Sequence, residues 1–375
     1  MRNPLRLALT IVAATVGVLA FVFLQTVIDL WYSGVEHAAI DRLAVRNKTS
    51  LTQTLPLSYL RRIESVPGVS AVTFGGWFGG RKGESQKDFY PNFFVDSATY
   101  LKVFSEYLVP SEQASAWRAD PCGALVGRDL AVRFGWKPGD LISLTGTIYP
   151  GTWDFTVRGV FQGKDETVDT RAMAFDFRCL NERIDPARKD RVGFFTVRVD
   201  DPSRSAAVAA TIDSMFANSP YETKTESEKA FQLGFVAMSG AILAAVRIVS
   251  YVVLLIMLLV VSNTIAMSVR EKTVELSTMR ALGFRTRYLV ALVLGESTTI
   301  GAASACLGLL LSPLVLRIFR RVVAQSFGAF PAAVIRFDTA IMAVGMALMV
   351  GILAGIAPAR SAARLEVAEG LRREV

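Results

Sequence analysis

The sequence predicts an α-helical membrane protein with four transmembrane helices and a large mixed α+β extracytoplasmic domain between the first two, carried on a helical stalk. Three observations lead there. A mean hydropathy of +0.38, with 52% hydrophobic residues in 375, is too apolar for an ordinary soluble chain. Four runs, Leu7 to Leu30, Ile248 to Met267, Tyr288 to Leu316 and Thr339 to Pro358, reach the about 20 apolar residues that cross a roughly 30 Å hydrocarbon core. The long section between the first and second runs has no further apolar run and is punctuated by turns, as a folded domain would be.

Taken in order, residues 1–30 hold the N-terminus and the first span. The apolar part exceeds the about 7 to 15 residues of a secretory signal, and no small-x-small cleavage site follows, so an uncleaved span is expected. After Leu30, "WYSGVEHAAIDRLAVRN" keeps helical spacing through Val35, Ala39 and Leu43, which predicts a stalk helix over residues 31–50. His37, the single histidine, is expected at a solvated position on it.

The extracytoplasmic domain is assigned to residues 51–225. Pro56 opens an amphipathic helix, "PGVSAVTF" reads as a turn and a strand, and Asp96 can cap "SATYLKVFSEYL". "CGALVGRDLAVRFGWKPGDLISLTG" reads as strand, helix, turn and strand, and "TWDFTVRGVF" as a further strand. "GFFTVRVDDPSRSAAVAATIDSMF" gives a strand and a helix started by Asp-Pro-Ser. Residues 111–191 are richest in turns and strands, which predicts a subdomain inserted there. Cys122 and Cys179 would either pair in an oxidising compartment or be two separate buried thiols. Cys306 falls inside the third span as a packing residue.

Residues 226–247 continue the helical spacing as a second stalk helix, with Arg247 snorkelling at the outer end of a span over 248–267. Residues 268–287 form a charged loop. In it "REKTVELSTMRALG" has good helix formers, apolar Leu276, Met279 and Leu282 on one stripe, and Gly283 placed to end the helix; Thr286 can cap the helix that follows. On physical grounds alone, one reading of it is an interfacial helix held by anionic lipid. The third span covers 288–316 and holds Glu296, read either as a switch or proton site or as a structural partner of a basic loop residue. A short outer loop (317–338), a fourth span (339–358) and a tail (359–375) complete the chain. Gly301, Ala305, Gly308, Gly351 and Gly355 stand at the spacing that lets membrane helices approach closely.

The net charge of +8 resides on the membrane-flanking pieces, because the long middle section carries equal numbers of each sign. It is therefore no sign of nucleic-acid binding. Arg2 and Arg6, then Arg270, Lys272, Arg280, Arg285 and Arg287, then Arg360, Arg364, Arg372 and Arg373 put both termini and the charged loop in the cytoplasm. Arg317, Arg320, Arg321 and Arg336 run against that rule. Catalysis is not expected. The chain has no phosphate-cradling G-x-x-x-x-G-K-[ST], no H-E-x-x-H, no G-x-S-x-G and no C-x-x-C, and no metal or cofactor site is expected.

"SNTIAMSVREKTVELSTMRALGFRTRYLVALVLGES" and the tail "APARSAARLEVAEGLRRE" resemble the signatures of FtsX-like, MacB/LolCE-type permeases of ABC transporters (type VII); "PGVSAV", "ALVGRDLAVRFG" and "FTVRGVF" are similar to the family's periplasmic domain. The resemblance implies a bacterial inner-membrane, multi-pass permease with the large domain periplasmic. It implies a coupling helix that docks on a separate ABC ATPase in two copies, carried here by Arg270, Glu271, Lys272, Glu275, Leu276, Met279, Arg280, Leu282 and Gly283, with Pro358, Arg360 and Arg364 in the C-terminal motif. ATP and Mg would belong to that ATPase. It further implies a second permease copy, as homodimer or heterodimer, and often a periplasmic adaptor protein. The function expected is mechanotransmission that expels or extracts a peptide, antibiotic or lipoprotein. The alternative is an FtsX-like regulator that activates a periplasmic or cell-wall partner; a lipid-binding receptor without an ATPase is the third reading.

Overall fold

The computed structural model describes residues 4–36, 38–83, 90–165, 168–327 and 335–364; His37, Arg372 and Arg373 lie outside them. The chain divides into two compact units, one built on the apolar helices and one on residues between Tyr32 and Met238.

In the membrane unit, α1 (Pro4–Glu36), α9 (Gly240–Glu271), α11 (Thr286–Phe327) and α12 (Phe337–Ala363) are, among the described residues, the four helices long and apolar enough to cross a bilayer. At about 1.5 Å per residue, the 32 residues of α9 reach about 48 Å, well beyond the hydrocarbon core. The helices bury Val18, Val22, Val261, Ile265, Val293, Ala347 and Ala354 in a shared core. Close approach is set by glycine: a Cβ on Gly301 would lie 2.6 Å from the Ala347 carbonyl oxygen, and one on Gly351 2.8 Å from that of Ser297. Polar side chains add interhelical bonds. Thr339 donates to Asp29 (2.6 Å), and Thr10 to Thr264 (3.2 Å).

The outer domain begins with β1 (Arg42–Asn47), β2 (Leu55–Pro56), α2 (Tyr59–Glu64), β3 (Val69–Trp77), β4 (Gly80–Arg81) and β5 (Asn92–Val95). It continues through α3 (Tyr100–Val103), β6 (Tyr107–Leu108), α4 (Ser111–Ala119), β7 (Gly123–Gly127), α5 (Arg128–Phe134), β8 (Leu141–Gly146), β9 (Gly151–Gly163), β10 (Met173–Asp176) and α6 (Phe177–Arg183). β11 (Arg191–Val192), β12 (Phe194–Val199), α7 (Ser205–Met215), β13 (Thr223–Ser227) and α8 (Glu228–Met238) complete it. Among the described residues eleven strands join one sheet in the order β13-β1-β12-β3-β5-β10-β7-β9-β8-β4, with β6 on β9. The expected turn chemistry is present. Gly135 ends α5 with φ +70°, and Asp201 accepts the Ser203 N–H to start the turn into α7.

Several expectations are corrected. The stalk over 31–50 is helical only to Glu36; Arg42–Asn47 is β1, paired on both edges, by β12 and by β13. Leu43 and Val45, two apart, both fill the core, so the period of two prevailed over the helical spacing once strands offered both ladders. The second stalk starts as β13, and its helix is interrupted at Ser239, where φ is −93° and ψ 10°. Residues 111–191 are not a separate subdomain: β10 pairs parallel with β5, and Val126, Phe155 and Phe175 share one core with Leu43, Val197 and Ile212. Asp96 holds a four-residue helix only, accepting from the Thr99 hydroxyl and the Ala98 N–H. Helix α2 starts at Tyr59 rather than at Pro56, and α11 starts on Thr286 itself.

Cys122 and Cys179 are joined in a disulfide, with Cα atoms 5.0 Å apart. Cys306 is an exposed free thiol of α11, not a packing residue.

The sheet edge carries a pH signature. Burial alone would raise the pKa of Glu226, but bonds from Lys224 and Arg46 outweigh it and hold the carboxyl below its ordinary 4.5. The bond from Lys48, followed by the Asn218 N–H, lowers Glu222 likewise. A carboxyl depressed in the folded state contributes stability above its unfolded pKa, and this is lost as pH falls through the folded value. The thermal midpoint of the outer domain should therefore drop as pH falls below about 4.5, and less steeply in Glu226→Gln. A slope unchanged by that substitution would contradict the assignment.

Candidate functional site: the charged turn between the second and third membrane helices

Local sequence builds this turn. α9 ends at Glu271, Lys272 turns the backbone (φ −96°, ψ 13°), and α10 (Thr273–Ala281) begins at once. The Thr273 hydroxyl donates to the carbonyl oxygens of Val269 (3.3 Å) and Arg270 (2.7 Å), satisfying acceptors that the helix end leaves open. At the far end, Gly283 has φ +92°. Its N–H donates to Arg280 O, and the Phe284 N–H to Met279 O, both at 3.1 Å. This is a complete Schellman closure, which needs a left-handed residue where glycine stands.

Four ties fix α10 and its flanks to the helices of the same unit. Glu296 of α11 accepts from Ser268 Oγ and Lys272 Nζ, each at 3.1 Å, and its side chain is 15% exposed. Arg280 donates from Nη1 to the carbonyl oxygen of Ala363 at the end of α12 (3.2 Å). Leu276, 2% exposed, is buried with Val269, Leu289 and Ala359. Arg6 of α1 pairs with Glu271. The turn is thus bonded or packed to all four apolar helices.

The predicted residues consequently divide. Leu276, expected on the docking stripe, faces its own bundle, and Arg280 caps α12. Lys272 is half-buried in the pair with Glu296, and Met279 is half-buried. Arg270, Glu271, Glu275, Leu282 and Gly283 are exposed, with Leu282 at 75%. Phe284, 47% exposed beside Tyr288, belongs to this surface and was missed. Its signal was its place directly after the helix-ending glycine. Arg285 and Arg287, also exposed, follow it closely in the chain.

Of the C-terminal motif, Pro358 lies buried inside α12, and Arg360 and Arg364 are exposed. The helix therefore continues to Ala363, past the predicted end of the span at Pro358, so the tail expected from 359 begins as helix. Residues 365–375 lie outside the described residues.

Two family models match. One described as the MacB-like periplasmic core domain covers residues 7–215, and one described as the FtsX-like permease C-terminal covers residues 247–367. The uncharacterized ABC transporter permease MJ1507 of Methanocaldococcus jannaschii is 24% identical over 98% of this chain and 94% of its own length. Among solved structures, the periplasmic region of MacB from Actinobacillus actinomycetemcomitans is similar at 11% identity and a TM-score of 0.39, over 54% of this chain and 95% of that one. The extracellular domain of the noncanonic ABC-type transporter YknZ from Gram-positive bacteria is similar at 12% identity and 0.37, over 50% and 98%.

Proposed function

Because the chain belongs to the family of ABC transporter permeases that join a MacB-like periplasmic core to an FtsX-like membrane module, we propose that it passes work done by a separate ATPase to its outer domain. In this reading α10 and the turn after it are the coupling helix, seated on an ATPase subunit in the cytoplasm, and the domain between α1 and α9 stands on the opposite side of an inner membrane. The cargo class is a peptide, antibiotic or lipoprotein that the outer domain expels or extracts.

One observation carries the reading. The turn is bonded or packed to all four apolar helices, yet presents Leu282 and Phe284 outward. A lipid-held helix would need its apolar stripe facing the bilayer, whereas Leu276 is spent on internal packing. A push on Leu282 or Phe284 would be borne by Arg280, Lys272 and Glu296 without local yielding, as a rigid-body transition requires.

Leu282→Asp with Phe284→Asp is expected to reduce recovery of the ATPase subunit in a pull-down by at least about 10-fold, since losing apolar anchors at an interface centre costs about 1.4 kcal/mol or more in all. The yield and melting temperature of the purified chain should not change. Undiminished recovery of the ATPase with the double variant would refute the docking surface.

A further inference from the structure

The two ends of the outer domain meet at one end of one strand pair. β1 follows α1, β13 precedes α8 and α9, and the two strands are antiparallel with Leu43 opposite Ser227 and Asn47 opposite Thr223. The chain thus arrives at Arg42 and departs at Glu228 from the same end of the pair. Any load separating these two ends acts as peeling. It falls on the Leu43/Ser227 rung first and then on one rung after another, the arrangement in which a ladder of hydrogen bonds shares load least.

An unusually complete polar cluster closes that end. The Arg42 side chain is 7% exposed. Its Nε donates to Glu228 Oε2 (2.7 Å) and Nη2 to Glu228 Oε1 (3.3 Å), while Nη1 donates to Glu106 and to the Val103 carbonyl oxygen (3.4 Å). Its guanidinium lies 4.6 Å from the Phe104 ring centroid. Glu228 also accepts from the Ala39 N–H (3.1 Å) and from Gln232 (3.3 Å). Burial disfavours the Arg42 charge, but the bonds and charges of Glu228 and then Glu106 outweigh it and raise the guanidinium pKa. Asp41 alongside pairs with Arg198, which reaches the Lys102 carbonyl oxygen and Ser105. The end of α3 and the loop after it therefore receive both arginines. Farther along the same strand pair stand Arg46 with Glu226 and Lys48 with Glu222, the last of these exposed.

We propose that Arg42 and Glu228 form a clasp across the open end of the β1–β13 pair, so that relative displacement of the chain before and after the domain moves the whole sheet instead of peeling its edge. Arg42 is a positioning residue in this device, acting through Glu228, through Val103 as the last residue of α3, and through Glu106 beyond it. The inference deepens the proposed coupling function and rests on it for its purpose, but its test needs neither ATP nor a partner.

The test is hydrogen exchange by mass spectrometry on the full chain in phospholipid nanodiscs. Arg42→Met leaves the half-buried Glu228 and Glu106 without their cation, and amides at the Leu43/Ser227 end and in the first turn of α8 should exchange about 100-fold faster. Those of the β12–β3 ladder should keep their rates. Arg42→Lys, which keeps the charge and loses the fork, should fall between. Glu228→Gln, milder because Arg42 retains Glu106, should give the same local pattern at about 10-fold and decides the matter if the methionine variant does not fold. Lys48→Met, at the far and exposed end, should leave α8 unchanged. Acceleration spread evenly over the sheet, or none at α8, would overturn the clasp. Loss of ATPase recovery in the Leu282/Phe284 experiment bears on the coupling reading alone, so the two can fail separately.

Discussion

Gly351→Leu is expected to prevent the third and fourth membrane helices from packing and to leave the chain aggregated or cleared. The reason is backbone rather than side-chain contact. A Cβ at Gly351 would stand 2.8 Å from the Ser297 carbonyl oxygen and 3.2 Å from the Thr298 Cα. Neither can rotate away, because Ser297 is itself fully buried. Opposite it, a Cβ on Gly301 would meet Ala347 O at 2.6 Å and the Gly351 Cα at 3.4 Å, so the helices would have to separate along their length. Overpacking a tight core costs about 1 to 3 kcal/mol where side chains can adjust, and the larger end applies where only backbone is in the way. In membranes such close approach is itself a main source of association. Gly345→Leu on the same helix is the control, since nothing lies within 4 Å of its Cβ. The measurement is the thermal midpoint and monodisperse yield in detergent or nanodiscs. Equal midpoints for the two variants would refute the account.

Removing the disulfide has the other large effect. Cys122 leads into β7 and Cys179 lies in α6, 57 residues apart, so the bridge closes a long loop that includes β7, β8 and β9. In the chain-entropy picture a loop of that size is worth about 4 kcal/mol through the unfolded state. In a domain near 200 residues this corresponds to a fall of roughly 10 °C in the melting temperature. Cys122→Ser with Cys179→Ser, or the wild type under reductant, should show it in the outer-domain transition while the membrane helices keep their helical signal. A shift below about 2 °C would mean that the bridge adds little to packing already secured by Leu180 and Phe177.

The same contrast between near and distant partners explains what could be read in advance. The four spans were legible because twenty apolar residues in a row have one low-energy solution, whatever else the chain does. β3, β7, β8 and β9 were legible from alternation and from the glycines and prolines between them. The end of α10 at Gly283 was legible because only glycine closes that turn without strain. β1 was not, since Val35, Ala39 and Leu43 suit a helix as well as Leu43 and Val45 suit a strand. The choice was made by β12 and β13, which lie some 150 and 180 residues downstream. Residues 111–191 looked separable for a similar reason: turn density is local, whereas the parallel pairing of β10 with β5 is not.

At the charged turn the division is finer. The sequence by itself determined that a short helix with an apolar stripe and charges on its other side stands between two spans, but left Glu296 open between a switch and a structural partner, which the bonds from Ser268 and Lys272 supply. Tertiary structure decided which of those residues face inward. Leu276 and Arg280 are committed to the bundle and Leu282 and Phe284 are left outside, because burial is settled by what the rest of the chain brings alongside. Hydropathy, helix ends and turns are properties of a few neighbours in sequence and are written there; strand partners, the disulfide and the exposed face of a helix depend on contacts across the fold, where only the assembled chain supplies the energy that selects among local alternatives.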